Sequence, residues 1–188
     1  MKKFELTSEF VTNVFGMKLF RIRALVEFGG VKAGDLGGYI EKEENLDQNG
    51  NAWVYGDAQV FDDARVFDDA RVFGDAWVFD DAWVFGNARV CCNAQVCCNA
   101  QVCGDADYAT VKGFGRYNRN TTFFRCKDGK IRVACGCFFG DMEEFRAIVK
   151  KTHGDEKLAK EYLAIADLME MHFAKESEDD TTRNPQQV

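Results

Sequence analysis

Aspartates recur in pairs along the middle of this 188-residue chain and form its largest group of chemically reactive side chains. Residues 51–110 hold ten aspartates and three arginines, so this segment carries the whole formal net charge of −7. Six of these aspartates are paired: Asp62, Asp63, Asp68, Asp69, Asp80 and Asp81. Close carboxylates repel one another, so they must be solvated, protonated, bound to a hard cation such as Ca²⁺, or covered by a basic partner. A glycine-rich calcium loop spacing is absent from the sequence.

Cysteine and histidine are the other candidates for metal or catalytic chemistry. Five cysteines lie close together in the chain: Cys91, Cys92, Cys97, Cys98 and Cys103. They lack the Cys-x-x-Cys plus His spacings of zinc sites, so we predict small filler thiols and no metal site or cofactor. A metal or redox role is the alternative. The two histidines, His153 and His172, lie outside the segment 51–110 and leave it without a general base. We therefore predict no enzymatic activity.

A six-residue repeat must position these side chains. Ten hexads between Asn51 and Thr110 read Asn/Asp, Ala, variable, Val, Phe/Tyr/Cys, Gly/Asp/Cys, with Ala at the second place of every hexad. An extended backbone points the Ala and Val to one side, because they lie two residues apart. Asp, Asn and Gly at the junctions tolerate tight corners. The period predicts a solenoid whose Ala and Val line a narrow core, so a ligand or partner must bind outside.

The spacing of Val54 and Ala58, aliphatic and then small four places later, resembles the hexapeptide repeat of left-handed parallel β-helices. This resemblance implies three hexads per triangular coil, so each residue stacks on the one eighteen positions further along. The stretches GDLGGYIEKEENL, TTFFRCKDGKIRV and CGCFFGDMEEF resemble uncharacterised phage and prophage proteins of Gram-positive bacteria that carry GDA-type repeats. These proteins have no settled activity.

Stacking by eighteen residues arranges the outward side chains in rows. It places Asp62 and Asp63 below Asp80 and Asp81 on one edge, and the pair 68–69 on a second edge. Such a row of negative charge is what a basic, nucleic-acid-binding groove attracts. The third places carry arginine and tryptophan, with Trp77 and Trp83 as partner anchors or as structural contacts. Phe and Tyr at the fifth places form either stacked ladders or an apolar stripe covered by a partner or a terminal segment.

Beyond residue 110 the charge changes sign. Four basic residues, Arg125, Lys127, Lys130 and Arg132, flank the Asp128-Gly129 dipeptide, which predicts a two-residue hairpin turn. With the aromatic residues 123 and 124 interleaved, this basic hairpin predicts either nucleic-acid or nucleotide binding, or a solvated sheet over a helix. Asp141 is a candidate N-cap for a helix through residue 151, and a second helical pattern begins at residue 155.

The predicted fold class is mainly β: a left-handed parallel β-helix, with three hexads per coil, between an N-terminal β cap and a small C-terminal α+β domain of a hairpin plus two helices. The predicted bounds are 1–50 for the cap, 51–110 for the β-helix, 111–174 for the C-terminal domain and 175–188 for a disordered tail. We expect the glycines between 29 and 38 to form the turn into the first coil. No apolar run is long enough to span a membrane, so we expect a protein of the bacterial host cytoplasm.

These observations predict a non-catalytic, phage-type protein-binding protein that inhibits a bacterial defence or nucleic-acid-handling enzyme through an acidic, DNA-mimic-like surface. A structural or oligomerisation protein of a phage or prophage, forming a homo-oligomer such as a dimer, is the alternative. A hexapeptide-type acyltransferase is the third. The predicted partner-binding residues are Asp62, Asp63, Asp68, Asp69, Asp80, Asp81, Trp77, Trp83, Arg125, Lys127, Lys130 and Arg132.

Overall fold

A computed structural model of the chain describes residues 1–174, apart from the side chains of Asp105 and Arg119. The predicted disordered tail, residues 175–188, lies outside the described residues. Three regions follow one another along the chain: an N-terminal antiparallel sheet, a solenoid of short parallel strands, and a C-terminal sheet with two helices. The predicted fold class, a parallel β-helix between a β cap and a small α+β unit, is confirmed.

Nine two-residue strands form the solenoid, and each consists of the third and fourth residues of a hexad. They are β4 (Trp53–Val54), β5 (Gln59–Val60), β6 (Arg65–Val66), β7 (Arg71–Val72), β8 (Trp77–Val78), β9 (Trp83–Val84), β10 (Arg89–Val90), β11 (Gln95–Val96) and β12 (Gln101–Val102). Each of the strands β4 to β9 pairs in parallel with the strand three places later, as Arg65 does with Trp83. The eighteen-residue register therefore holds, and three hexads make one coil.

Three flat faces result from this register. We call them face 1 (β4, β7, β10), face 2 (β5, β8, β11) and face 3 (β6, β9, β12). The alanines and valines of the first nine hexads point inward and are at most 1% exposed. The tenth hexad does not form a rung, because Ala106 is exposed within a 3₁₀ turn and Tyr108 begins the next strand.

Each corner of the solenoid needs a residue with positive φ at the sixth place of the hexad. Asp62, Asp68, Asp80, Cys92 and Cys98 adopt this left-handed conformation, with φ between 57° and 65°, and glycine occupies the remaining corners of the same kind. Only Gly adopts it without strain, and Asp and Asn tolerate it because a short polar side chain bonds locally. Gly and Asp therefore recur at the sixth place for a backbone reason, and Cys92 and Cys98 adopt the same conformation.

The N-terminal region extends face 2. Strands β1 (Phe4–Thr12), β2 (Lys18–Ala24) and β3 (Leu36–Ile40) pair antiparallel, and β3 then pairs in parallel with β5. Gly37 and Gly38 belong to β3, so our expectation that they lie in a turn is wrong. They are required for close packing, since a Cβ atom on Gly38 would lie 2.6 Å from the carbonyl oxygen of Ala58. Val66 also forms an isolated parallel bridge with Leu46, so residues before the repeat add to the solenoid.

The C-terminal region contains β13 (Tyr108–Phe114), β14 (Arg119–Arg125), β15 (Ile131–Cys135), β16 (Phe138–Asp141), α1 (Met142–His153) and α2 (Lys157–Phe173). The four strands form an antiparallel sheet in sequence order, and the predicted hairpin is its central pair. Phe124 joins the solenoid core and Phe123 joins the core beneath the helices, because neighbouring strand residues point to opposite faces. The sheet therefore caps the end of the solenoid.

Both predicted helices are present. The Asp141 carboxylate accepts the backbone N–H of Glu144 at 2.9 Å, and the Glu144 carboxylate accepts that of Asp141 at 2.9 Å. This capping box fixes the start of α1, as the sequence predicts. Neither of the helices within residues 1–174 is long and apolar enough to span a membrane.

Candidate functional site

Three of the six paired aspartates are corner residues, and their carboxylates hold adjacent coils together. The Asp80 carboxylate accepts the backbone N–H of Cys98 at 3.1 Å, and that of Asp68 accepts the N–H of Gly86 at 3.3 Å. In both pairs the donor lies eighteen residues later, which is one coil further along. These corner aspartates therefore stabilise the solenoid, whatever else they bind.

Face 3 is where the structure brings most of the predicted site residues together. The pairs 62–63 and 80–81 follow the edge before β6 and β9, and the pair 68–69 lies on the opposite edge, after β6. Trp83 stands between the two edges and is 38% exposed. We call this surface, which contains Trp83 and the six aspartates, the acidic-edged face. Asp63, Asp68, Asp69 and Asp81 are its exposed carboxylates.

Aromatic rings support this face from one side. The Phe67 and Phe85 rings stack with their centroids 5.0 Å apart and an interplanar angle of 3°. The Trp83 indole meets the Phe67 ring edge to face, at a centroid distance of 5.9 Å. Each such contact contributes about 0.5–1.5 kcal/mol beyond the buried area. The indole is therefore held in place while part of it remains open to a partner.

Neighbouring charges modify the edge with four aspartates. Lys42 Nζ forms a salt bridge with Asp63 Oδ1 at 2.8 Å, and this hydrogen bond raises the pKa of Lys42. Burial raises the pKa of Asp62, and the negative charges of Asp80 and Glu41 raise it as well. The hydrogen bond that the Asp62 carboxylate accepts from the Asp80 backbone N–H acts in the opposite direction. The negative charge of this edge is thus partly neutralised by Lys42 near β6, and it is strongest near Asp81.

Trp77 lies on face 2, away from Trp83. The turn between β1 and β2 covers it, since the Phe15 ring lies 6.3 Å from Trp77 and 6.1 Å from Phe61, centroid to centroid. Beneath Phe15, the Phe61 and Phe79 rings stack at 5.1 Å and 7°. On this face the fifth-place aromatics form a stacked ladder that a terminal segment also covers.

The predicted basic hairpin is present, but its arginines bond within the chain. Arg125 Nη2 donates to the Phe173 carbonyl oxygen at the end of α2 at 3.1 Å, and its Nε lies 3.4 Å from Asp107 Oδ1. Arg132 forms a salt bridge with Asp128 at 2.9 Å. These contacts tie the sheet to α2 and to the turn.

Lys127 and Lys130 remain exposed at the hairpin turn, whereas Phe123 and Phe124 are fully buried. The phenyl rings therefore do not form a surface on which bases could stack. The loop has three residues instead of the predicted two. The Cys126 N–H donates to the Lys130 carbonyl oxygen and so closes the loop, and within it the Gly129 N–H donates to the Cys126 carbonyl oxygen. Gly129 has a φ of 76°, which suits the bulge that follows a turn of this length.

The hairpin loop also reaches the acidic-edged face and completes a cluster that we did not predict. Ligand atoms of Asp80, Cys97 and Cys98 all lie within 4.8 Å of one another, and the Cys98 thiol donates to Asp80 Oδ2 at 3.5 Å. The buried Cys126 interacts electrostatically with Cys97 and Cys98. We call these four residues the thiol cluster.

Burial keeps the thiols of this cluster protonated at neutral pH. Burial raises the pKa of Cys98 to about 11 and that of Cys126 to about 12, and it raises the pKa of Cys97 further. Sequence spacing missed the cluster because its carboxylate comes from the previous coil. The signal was the eighteen-residue separation of Asp80 and Cys98, which the same register predicts to stack.

A separate cleft of about 400 Å³ opens in the C-terminal unit. Its lining is mostly apolar, with Arg116, Cys137 and His153 among the residues at its surface. The His153 ring stacks on that of Tyr162 at 6.1 Å and 22°. His172 lies at the end of α2 against Phe173. Both histidines belong to the helical unit, away from the three solenoid faces.

Comparison with known proteins agrees with this architecture. One family model, described as the YdcK β-solenoid repeat, matches residues 64–80, which include β6, β7 and β8. Comparison with the curated proteins found no match. The repeat and the fold together define a β-solenoid protein.

Proposed function

We propose that this chain is a non-catalytic binding protein of the phage or prophage GDA-repeat type, which inhibits a bacterial defence or nucleic-acid-handling enzyme. Its contact surface is the acidic-edged face. One observation carries the proposal: Trp83, 38% exposed, stands between an edge with exposed carboxylates on two successive coils and an opposite edge with the exposed pair Asp68 and Asp69. Tryptophan is prominent among the residues that dominate binding energy at protein interfaces.

The charges of this face fit a groove that binds nucleic acid. Carboxylates on successive coils repeat at the strand spacing of about 4.8 Å. The phosphates of one B-DNA strand are also regularly spaced, at about 3.4 Å along the helix axis. The edge with four aspartates and the pair 68–69 on the opposite edge present negative charge on both sides of the flat surface. A basic groove would be steered towards this face by long-range attraction.

Two substitution pairs separate this proposal from a general effect of charge. Asp63→Asn with Asp81→Asn removes two exposed charges from the first hexad places of the acidic-edged face. Asp57→Asn with Asp75→Asn removes two exposed charges from the same hexad places at another corner. Both pairs leave all positive-φ corners unchanged. Only the first pair is expected to weaken partner binding, mainly through a slower association rate.

The assay is capture from a bacterial lysate with the tagged chain at about 50 and about 200 mM salt. Captured proteins are identified by mass spectrometry and then challenged with duplex DNA. We expect a nucleic-acid-handling or defence enzyme that high salt and DNA both release. Capture of proteins without such an activity, or equal behaviour of the two substitution pairs, would contradict the proposal.

Direct binding of nucleic acid or of a nucleotide through Lys127 and Lys130 is tested on the purified chain. Fluorescently labelled single-stranded DNA and a labelled nucleotide are titrated with the protein at low salt. We expect no saturable binding, because the aromatic rings beside these lysines are buried. Saturable binding that is lost on Lys127→Gln with Lys130→Gln would transfer the function to the hairpin.

A second candidate function, assembly of copies of the same chain, is favoured by the exposed fraction of Trp83. In that case the acidic-edged face would be an interface between copies. Light scattering at micromolar concentration distinguishes the two functions. An oligomer that Trp83→Ala converts to a monomer would support assembly, and a monomeric wild type supports binding of another protein.

A further inference from the structure

We propose that the thiol cluster of Asp80, Cys97, Cys98 and Cys126 binds a thiophilic divalent cation of the Zn²⁺ class. The site joins the solenoid to the C-terminal unit. It shares Asp80 with the acidic-edged face and lies at the end of that face nearest the hairpin.

Three separate segments bring these ligands together. Asp80 comes from one coil and Cys97 and Cys98 from the next, and their ligand atoms lie within 4.8 Å of one another; the hairpin loop adds Cys126 as the candidate fourth ligand. The loop is held in place because the Lys127 N–H donates to the Asn99 carbonyl at 3.1 Å, and Cys126 forms an isolated bridge with Ala100. These backbone contacts therefore hold the hairpin loop beside the solenoid corner.

Adjacent residues of a strand normally point to opposite faces, and the corner removes this obstacle. Cys98 has a φ of 58°, so it leaves the extended conformation directly after Cys97. The two sulfur atoms consequently lie together with an Asp80 oxygen, within 4.8 Å. Ligands about 2.3 Å from a tetrahedral metal are separated by about 3.8 Å, so small side-chain movements close the site.

The donor set selects the kind of ion. Two thiols and one carboxylate, with the Cys126 thiol as the candidate fourth donor, suit a tetrahedral, borderline-soft cation such as Zn²⁺ and disfavour Ca²⁺ or Mg²⁺, which require oxygen ligands. Binding releases the thiol protons and favours the folded state in which the segments meet.

A second cysteine pair serves as a matched control. Cys91 and Cys92 occupy the same hexad places at another corner, and their sulfur atoms lie 3.3 Å apart. The residue eighteen positions before Cys92 is Gly74, which supplies no carboxylate. The two pairs therefore differ in the third ligand while sharing the vicinal thiols and the positive-φ corner.

The test is titration of the reduced full chain with Co²⁺, a spectroscopic probe for tetrahedral thiolate sites, followed by displacement with Zn²⁺. We expect one equivalent to produce thiolate-to-cobalt charge-transfer and visible d–d bands. The bands should persist in Cys91→Ser with Cys92→Ser and disappear in Cys97→Ser with Cys98→Ser. Asp80→Asn tolerates the corner and should weaken binding by more than the roughly 10–100-fold cost of losing an outer-shell partner.

Circular dichroism of each variant without metal verifies that it is folded, so that a loss of bands reports the site. Zn²⁺ should also raise the melting temperature of the wild type and of the Cys91/Cys92 variant. Absence of cobalt bands in the wild type would overturn the proposal, and so would bands that depend on Cys91 and Cys92. Unchanged affinity in Cys126→Ser would remove Cys126 from the ligand set.

Discussion

The corner aspartates allow a quantitative test of why acid recurs in this repeat. Asp68 has a φ of 59°, and its carboxylate accepts the Gly86 N–H at 3.3 Å. Alanine in the left-handed region costs about 1–2 kcal/mol. Losing the hydrogen bond costs about 0.5–1.5 kcal/mol. Since Asp itself adopts this region at some cost, we expect Asp68→Ala to lower the free energy of unfolding by about 1–3 kcal/mol.

Two further variants isolate the backbone contribution. Asp81→Ala removes the same charge from an exposed residue without positive φ, and such surface changes stay within about 0.5 kcal/mol. Asp68→Gly also removes the carboxylate, but glycine accepts the corner conformation without strain. The expected order of stability is therefore Asp81→Ala above Asp68→Gly above Asp68→Ala, although glycine removes more atoms than alanine.

Thermal unfolding followed by far-UV circular dichroism measures this order. A chain of 150–250 residues loses about 2–4 °C of melting temperature per kcal/mol, so Asp68→Ala should melt roughly 2–12 °C below the wild type. If Asp68→Ala were as stable as Asp81→Ala, the corner conformation would not explain the residue. Asp68 would then be present only for its charge.

Three further predictions concern the cap, a buried lysine and the two tryptophans. Gly38→Ala should lower the free energy of unfolding in urea by about 1–3 kcal/mol, because the new Cβ atom would lie 2.6 Å from a backbone oxygen. The control Gly104→Ala places its Cβ atom in open space and should leave the unfolding midpoint unchanged. Equal midpoints for the two variants would refute this prediction. Burial lowers the pKa of Lys3 to about 8, so the unfolded chain binds more protons between about pH 8 and 10.5 and stability should rise across that window. Comparison of melting temperatures with Lys3→Met measures this rise, which a difference independent of pH would contradict. Trp77→Ala should lower the melting temperature more than Trp83→Ala, because Phe15 covers Trp77 and Trp83 is 38% exposed; the reverse order in a thermal scan would show that face 3 is covered.

Much of the fold could be predicted from the hexad pattern. Ala and Val two residues apart require an extended backbone with one inward side, and their small volume requires a narrow coil. The eighteen-residue register then placed the six aspartates and Trp83 around one face. The start of α1 was also predictable, because Asp141 and Glu144 cap it locally.

Other features depend on contacts between distant segments. The sequence does not show that Phe15 covers Trp77, that Phe123 and Phe124 are buried on opposite sides of one sheet, or that Gly38 packs against Ala58. The partner of each residue lies in another part of the chain, and periodicity describes only the direction in which a side chain points. The basic hairpin therefore seemed from the sequence to carry exposed aromatic rings, although tertiary packing buries them.

The sequence by itself determined the repeating rung, its filling and its corners, because these follow from interactions within a hexad and between successive coils. Only the tertiary structure decided which solenoid faces the terminal segments cover and which remains open. It also decided that Asp80 lies beside Cys97 and Cys98, and that the hairpin loop with Cys126 pairs with Ala100 next to them. The physical reason is that the ends of the solenoid pair with other strands through backbone N–H and C=O groups. Every strand carries these groups, so the sequence does not specify which strand pairs there.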